Sequence, residues 1–166
     1  VFRGNGDGSF GSPDYLFTSA NAVRVVLADL DGDGHLDIAN TNGNGVSTVD
    51  IFFNNGNGTF GFPFGFEAGA PNAILAVGDV NNDGLNDLLT SGPGQSGVVV
   101  AISNGNRTFQ AGQLFAFPGS SVNGTLGDFD GDGDLDFAAA NIGTTGVDVL
   151  LNETIVVTEP ECPADF

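Results

Sequence analysis

The stretch Asp29-Leu30-Asp31-Gly32-Asp33-Gly34-His35-Leu36-Asp37 occurs three times in this chain in closely related form. The second copy is Asp79-Val80-Asn81-Asn82-Asp83-Gly84-Leu85-Asn86-Asp87, and the third is Asp128-Phe129-Asp130-Gly131-Asp132-Gly133-Asp134-Leu135-Asp136. Each copy has an oxygen-bearing side chain at positions 1, 3, 5 and 9, and each has glycine at position 6. We call these three stretches the acidic loops.

The acidic loops carry the residue types that a Ca²⁺ site needs. Calcium binds six to eight oxygen ligands, and alternate residues of a tight loop can direct carboxylates toward one ion. Glycine at position 6 permits the sharp turn, and the carbonyl of position 7 supplies a further ligand. A single copy is also compatible with a solvated Asp/Gly turn, but three copies at matched spacing favour a metal site. Position 12 is Asn40, Thr90 or Ala139 rather than the Glu of an EF-hand, which indicates a different framework.

The predicted cofactor is therefore Ca²⁺, with three sites, one per repeat. The predicted side-chain ligands are Asp29, Asp31, Asp33, Asp37, Asp79, Asn81, Asp83, Asp87, Asp128, Asp130, Asp132 and Asp136. The predicted backbone-carbonyl ligands are those of His35, Leu85 and Asp134. We expect the second site to bind most weakly, because Asn81 carries no charge.

Composition limits the classes of function. The formal net charge of −18 over 166 residues argues against nucleic acid or an anionic membrane as partner. No run approaches the roughly 20 apolar residues of a membrane-spanning helix. Hydrophobic residues make up 40% of the chain and 15 of them are Phe, which argues against disorder. The sequence has neither an initiator Met nor a signal peptide, and we expect it to be a mature or excised piece.

A second pattern repeats with the same period of about 50 residues. Residues 4–10 match residues 54–60 and 103–109, so that Phe10, Phe60 and Phe109 fall in register. Each repeat has four short apolar runs separated by turn residues, and the acidic loop joins the first run to the second. The fourth runs, Phe60–Phe66 and Phe109–Phe117, are predicted to be strands. Asn-Gly turns between β-branched runs are typical of hairpins. The prediction is an all-β chain of β-propeller blades, about three four-stranded antiparallel repeats, incomplete as a ring on its own.

The repeat boundaries predict a segmental organisation. Residues 1–20 are predicted to end one blade, residues 21–69, 70–118 and 119–152 to form three blades, and residues 153–166 to form a tail with a possible strand at Ile155–Val157. The run Phe10–Phe17 is predicted to be a fourth strand without its own blade, and the third blade to lack one. Three interpretations follow. The chain is a fragment of a longer propeller, it assembles with other copies into a ring or filament, or it forms an open arc. Unpaired edges need to be covered, which favours strand addition between chains.

In its acidic loops and its repeat of about 50 residues, the chain resembles the FG-GAP/VCBS repeats. These repeats form the blades of the integrin α-subunit head and of many secreted proteins. The resemblance covers roughly residues 1–152. It implies a propeller with Ca²⁺ on its rim that is used for adhesion, ligand binding or scaffolding.

Catalysis is not expected. His35 is the only histidine, and nearly all close carboxylate pairs are assigned to metal. The predicted function is an extracellular, calcium-stabilised structural or adhesive module that acts through protein–protein assembly. Its predicted partners are other copies of itself, the rest of a larger propeller, or an extracellular protein or glycan. The alternatives are a lectin-like carbohydrate-binding propeller and a non-catalytic accessory segment of a larger secreted enzyme.

Two further features bear on an extracellular setting. Glycosylation sequons begin at Asn57, Asn106, Asn123 and Asn152, and their use depends on the host. Cys162 is the only cysteine. It is a free thiol, a link to another chain, or half of a bridge to a missing partner, and the sequence does not choose among these.

Overall fold

The chain folds into three antiparallel sheets. The computed structural model describes residues 1–43, 48–67, 74–92, 94–142 and 146–153. Within them the strands are β1 (Ala22–Ala28), β2 (Asp37–Asn42), β3 (Thr48–Phe52), β4 (Phe64–Glu67), β5 (Ile74–Gly78), β6 (Asp87–Ser91), β7 (Val98–Ala101), β8 (Gln113–Phe115), β9 (Ser121–Gly127), β10 (Asp136–Asn141) and β11 (Gly146–Leu150). The all-β prediction is confirmed.

Each sheet is built from consecutive strands in sequence order. The sheets are β1-β2-β3-β4, β5-β6-β7-β8 and a three-stranded sheet of β9, β10 and β11. We call them blades 1, 2 and 3. Each acidic loop joins the first strand of its blade to the second, as predicted. Within the described residues, blade 3 has no fourth strand.

The blades lie side by side with their first strands adjacent, as in a propeller. Strand β5 contacts both β1 and β9. The Arg24 guanidinium on β1 donates a hydrogen bond to Asn123 Oδ1 on β9 at 2.7 Å, which links blades 1 and 3.

Two hydrophobic clusters hold neighbouring blades together. Between blades 1 and 2 the buried residues are Leu30, Ala39, Val49, Ile51, Phe53, Leu88 and Ala101. Between blades 2 and 3 they are Ala76, Leu89, Val98, Phe117, Phe137 and Ala139. In blade 2 the adjacent residues Leu88 and Leu89 belong to different clusters, because successive side chains of a strand point to opposite faces of the sheet.

The fourth strands are shorter than predicted. The runs were predicted to begin at Phe60 and Phe109, but β4 begins at Phe64 and β8 at Gln113. Phe60 and Phe109 instead form isolated bridges with Asn54 and Ser103. For β4 the reason is local, because Pro63 has no N–H for a strand ladder.

The predicted strand at Phe10–Phe17 is wrong. Phe10 makes one isolated bridge, to Gly4, and the residues after it form no strand. Pro13 interrupts the run and cannot donate to a ladder. The segment is held instead by the ion pair of Arg3 with Asp14 at 3.2 Å. Ile155–Val157 and Cys162 lie outside the described residues.

Candidate metal centres

All three acidic loops adopt the same hydrogen-bonded conformation. The N–H of position 6 donates to the Oδ2 atom of the position 1 aspartate in each copy. The pairs are Gly34 to Asp29 at 2.8 Å, Gly84 to Asp79 at 2.8 Å and Gly133 to Asp128 at 3.2 Å. Because an aspartate side chain readily accepts bonds from backbone a few residues on, the local sequence alone closes the loop.

Positions 3 and 5 continue this pattern. The position 5 N–H donates to the position 3 oxygen in each loop, at 3.2, 3.2 and 3.1 Å for Asp31, Asn81 and Asp130. The position 7 N–H donates to the position 5 carboxylate at 2.9 Å in all three loops. Each of these carboxylates is therefore anchored to the loop backbone through its Oδ1 atom, while Asp31 Oδ2 and Asp83 Oδ2 accept further bonds from Arg107 and Asn81.

Two backbone positions in each loop have left-handed geometry. The position 6 glycines have φ of 85°, 87° and 97° in Gly34, Gly84 and Gly133, as the turn requires. Position 4 is also left-handed, with φ of 79° at Gly32, 59° at Asn82 and 86° at Gly131. This second left-handed position was not predicted from the sequence. The available signal was that all three residues there are Gly or Asn, the types that tolerate this region.

The position 9 aspartates, Asp37, Asp87 and Asp136, are fully buried and join two parts of each blade. One oxygen of each carboxylate accepts the N–H of loop position 2, at 2.9, 3.0 and 2.7 Å. The other oxygen accepts the N–H of the residue two positions after the end of the third strand. These residues are Asn54, Ser103 and Asn152, and the distance is 2.8 Å in each case. Position 9 therefore fastens the acidic loop to the segment that follows the third strand of the same blade.

The environment shifts the pKa of these buried groups in different directions. Burial raises the pKa of Asp37 and of Asp87, against the lowering effect of their backbone hydrogen bonds. In Asp136 the hydrogen bonds from the Asn152 and Phe129 N–H groups prevail and lower the pKa. Asp136 belongs to blade 3, which has no further blade on its outer side among the described residues.

The carboxylates of positions 1, 3 and 9 converge. Asp29, Asp31 and Asp37 each place an oxygen within 4.8 Å of the others, and Asp128, Asp130 and Asp136 do the same. The donor atoms are hard oxygens on a tight loop, which fits a calcium ion. The second loop replaces one carboxylate with the amide of Asn81, whose Nδ2 donates to Asp83 Oδ2 at 2.9 Å.

The remaining predicted ligands lie in the same loops but outside these carboxylate clusters. Asp33, Asp83 and Asp132 at position 5 are exposed on the loop surface. At position 7, the side chain of His35 is exposed and that of Asp134 is buried. The position 7 carbonyls and the position 5 carboxylates stay predicted ligands.

Neighbouring blades contact one another through the acidic loops. Asn86 Nδ2 in the second loop donates to the Asp29 carbonyl of the first loop at 2.9 Å. Asn82 Nδ2 donates to Asp134 Oδ1 of the third loop. Arg107, in the turn of blade 2, forms an ion pair with Asp31 of the first loop. None of these contacts was predicted from the sequence, because they depend on how the blades pack.

The sequons occupy different surroundings. Asn57 and Asn106 lie on exposed turns. Asn123 lies on β9 and accepts the hydrogen bond from Arg24. Asn152 Nδ2, the atom that would carry a glycan, donates instead to the carbonyls of Val80 at 2.7 Å and Leu135 at 3.3 Å. Use of these sites stays a prediction, and it would cost Asn152 two structural bonds.

Comparisons with known proteins bear on this arrangement. No curated protein sequence matches the chain. A solved structure of an Agrocybe aegerita lectin, described as specifically recognising non-reducing terminal N-acetylglucosamine, has a similar fold, with a TM-score of 0.57 and 24% identity. The similarity covers 92% of this chain and 46% of the lectin chain, so that this chain spans about half the length of the lectin. No helix among the described residues is long and apolar enough to span a membrane.

The family comparison matches more than half of the chain. The pattern of the FG-GAP-like repeat covers residues 1–40 and 79–139. These two stretches contain all three acidic loops in full. The chain therefore belongs to the family of FG-GAP-like repeat proteins.

Proposed function

We propose that this chain is an extracellular, calcium-stabilised segment of a β-propeller that works as a structural or adhesive module, without catalysis, through protein–protein assembly. The observation that carries the calcium part is the threefold repetition of one loop conformation, with converging carboxylates in the first and third loops. Millimolar extracellular calcium suits open, oxygen-only loops of this kind. Family membership supports the extracellular setting.

Calcium is expected to stabilise the folded chain. Without a cation, several carboxylates near one another repel, and an ion bound only by the folded state removes that repulsion and adds stability by linkage. At a concentration 100 times the dissociation constant, each site contributes about 2.7 kcal/mol. For a chain of this size that corresponds to roughly 5–10 °C in melting temperature per site.

The test is thermal unfolding in calcium and in EGTA, with Asp130→Ala in the third loop. Calcium should raise the melting temperature of the wild-type chain, and Asp130→Ala should lose at least one third of the increase. Glu67→Gln is the matched control, because Glu67 is an exposed acid at the end of β4 outside the loops. Equal melting temperatures in calcium and EGTA would contradict the calcium proposal.

The assembly part of the proposal is supported by apolar surface at both ends of the row of blades. On the third strand of blade 1, Val49 and Ile51 are completely buried against blade 2. The corresponding residues of β11, Val147 and Val149, are 67% and 53% exposed. Blade 3 thus presents the face that blades 1 and 2 use to bind the next blade.

The opposite end of the row presents the complementary face. Val25 and Leu27 on β1 are 62% and 61% exposed. Val77 and Leu126, at the position of Leu27 in the next two blades, pack in the clusters between blades. Blade 3 of one copy therefore matches blade 1 of another, and repeating this contact would give a ring or a filament.

A cleft beside blade 3 supports the same conclusion. It has a volume of about 250 Å³, lies between blades 2 and 3, and is lined mainly by apolar side chains such as Val98, Phe115 and Leu150. Between blades 1 and 2 the equivalent space holds Phe109, whose ring lies 5.6 Å from that of Phe66. Phe10 has the same place in its repeat and is 68% exposed. The Phe10 side chain of a second copy is the occupant that we propose for the cleft.

Sedimentation over a range of concentrations tests the assembly. The wild-type chain should associate in calcium, and Val149→Glu should weaken association by placing a charge on the blade 3 face. Phe62→Glu is the control, because Phe62 is 98% exposed and precedes β4, outside the two end strands β1 and β11. A wild-type chain that stays monomeric at about 100 μM would contradict assembly between copies.

Carbohydrate binding is the second candidate. It rests on the similar fold of the Agrocybe aegerita lectin and on the polar residues Gln110, Gln113 and Asn152 at the cleft. Calorimetry at fixed calcium with an oligosaccharide ending in N-acetylglucosamine would test it. Binding that is lost in Gln113→Ala would favour the lectin function. The mainly apolar lining of the cleft favours a protein side chain as its occupant instead.

A further inference from the structure

Arg107 occupies a backbone position where the other repeats have glycine. It aligns with Gly8 and Gly58, which have φ of 89° and 78°. Arg107 has φ of 67° in the same turn. A long side chain is disfavoured in this left-handed region, and such outliers persist where surrounding contacts or a function retain them.

The Arg107 side chain crosses from blade 2 to the first acidic loop. Its Nε donates to Asp31 Oδ2 at 2.6 Å, and its Nη2 lies 3.8 Å from Asp33 Oδ2. The guanidinium carbon also lies 4.9 Å from the centre of the Phe53 ring. The carboxylate contacts and the aromatic ring together fix the direction of the guanidinium.

The contact differs from an ordinary surface ion pair. The Asp31 side chain is only 5% exposed, although the Arg107 side chain is 49% exposed. Asp31 is also one of the three residues whose oxygens converge in the first loop. Arg107 therefore directs its charge at an oxygen atom of the residue that is predicted to bind the ion.

We infer that Arg107 is an internal counter-cation of the first acidic loop, which competes with calcium for Asp31 and makes this loop the weakest of the three sites. This inference rests on the proposed calcium binding. Among the described residues, no basic side chain forms an ion pair with the second or third loop. In the metal-free protein, Arg107 holds the first loop in place and fastens blade 2 to it.

The inference changes the expected order of the sites. Charge at position 3 alone predicts that the second loop is weakest, since it has Asn81 there. A neutral ligand removes one attraction, whereas Arg107 both occupies a carboxylate oxygen and repels the ion. We therefore expect the third loop, which has neither feature, to bind most tightly.

His35 provides a reporter for the first loop alone. It is the only histidine of the chain and lies at position 7 of that loop. Its ring resonances can be followed by NMR while calcium is added to the full chain, and calorimetry measures the overall binding in parallel.

The test compares wild-type, Arg107→Gly, Arg107→Asn and Arg107→Lys. Arg107→Gly restores the residue of the other repeats, and Asn tolerates the left-handed backbone, so that two neutral variants keep the turn. Both should lower the calcium concentration at half-saturation of the His35 signal by about tenfold, the size expected when a unit charge near a divalent ion is removed. Arg107→Lys keeps the charge and should show a smaller change.

The outcomes separate this inference from the function on which it rests. If calcium binds but the His35 signal reaches half-saturation at the same calcium concentration in all four proteins, Arg107 does not compete with calcium and the inference is overturned. If the wild-type chain binds no calcium by calorimetry, the proposed function fails first. Melting in EGTA checks that each variant is folded.

Discussion

Replacing Asp87 by alanine should destabilise the chain whether or not calcium is present. The Asp87 carboxylate is completely buried, with one oxygen bonded to the Val80 N–H at 3.0 Å and the other to the Ser103 N–H at 2.8 Å. Alanine would leave both N–H groups without this partner. Each buried donor left unsatisfied costs about 1–3 kcal/mol.

The net loss for Asp87→Ala is smaller than the sum of these two penalties. Burial raises the pKa of Asp87, which means that ionising this carboxyl already costs free energy in the metal-free fold. The two penalties sum to about 2–6 kcal/mol, and the expected loss lies in the lower part of this range, about 2–4 kcal/mol. Asp87→Asn keeps one acceptor and no charge, and it should lose about half as much.

Urea unfolding in EGTA and in calcium separates this structural role from metal binding. Asp83→Ala is the matched comparison, because Asp83 is a predicted ligand of the same loop but is exposed. In EGTA it should change the free energy of unfolding by less than about 1 kcal/mol. In calcium it should lose the additional stabilisation from its site.

One result of urea unfolding would contradict the structural role of Asp87. If Asp87→Ala and the wild-type chain unfold at the same urea concentration in EGTA, the two buried hydrogen bonds contribute nothing to the stability. If Asp87→Ala is too unstable to purify, Asp87→Asn gives the same comparison with a smaller loss.

Three other measurements test the core, the loop backbone and the dependence on pH. Leu88→Ala, at a fully buried position between blades 1 and 2, should cost about 2–5 kcal/mol in urea unfolding, whereas Leu114→Ala, 53% exposed on β8, should cost far less. Gly84→Ala meets no atom within 4 Å but has φ of 87°, so backbone strain alone should cost about 1 kcal/mol in EGTA. Because burial raises the pKa of Asp87 above 3.8, its contribution to the free energy of unfolding in EGTA should increase as pH falls through the raised pKa toward 3.8, and Asp87→Asn should remove this increase. Asp136 has a lowered pKa, so its contribution to the free energy of unfolding is present above pH 3.8 and disappears as pH falls through the folded-state pKa. Asp136→Asn should therefore remove a loss of stability at low pH, whereas Asp87→Asn removes a gain.

The sequence predicts the strands well where local chemistry decides them. The acidic loops and the apolar runs on either side of them located the hairpin of the first two strands in each blade, because those signals act over a few residues. The prediction failed at Phe10–Phe17 and at the start of β4. In both places a proline at position 13 or 63 outweighed an apolar run that looked like a strand.

The sequence predicts much less of the candidate site. Asp37 reads as one more calcium ligand, but the structure also places it in hydrogen bonds with the Leu30 and Asn54 N–H groups. A backbone N–H 17 residues away has no signature in the sequence. Arg107 lies 76 residues from Asp31, and only the packing of blade 2 on blade 1 brings them together. A visible signal was the arginine itself, in a turn where the other repeats have glycine.

These contacts change how a bound ion would act on the fold. A loop that closed only its own hairpin would stabilise that hairpin and nothing else. Here the Asp29 carbonyl of the first loop accepts a bond from Asn86 of the second, and Asp134 of the third loop accepts one from Asn82. Because neighbouring loops share hydrogen bonds, ordering one of them restrains the blade beside it. Calcium is therefore expected to strengthen the interfaces between blades as well as the hairpins, and the end faces that would receive further blades should gain order with it.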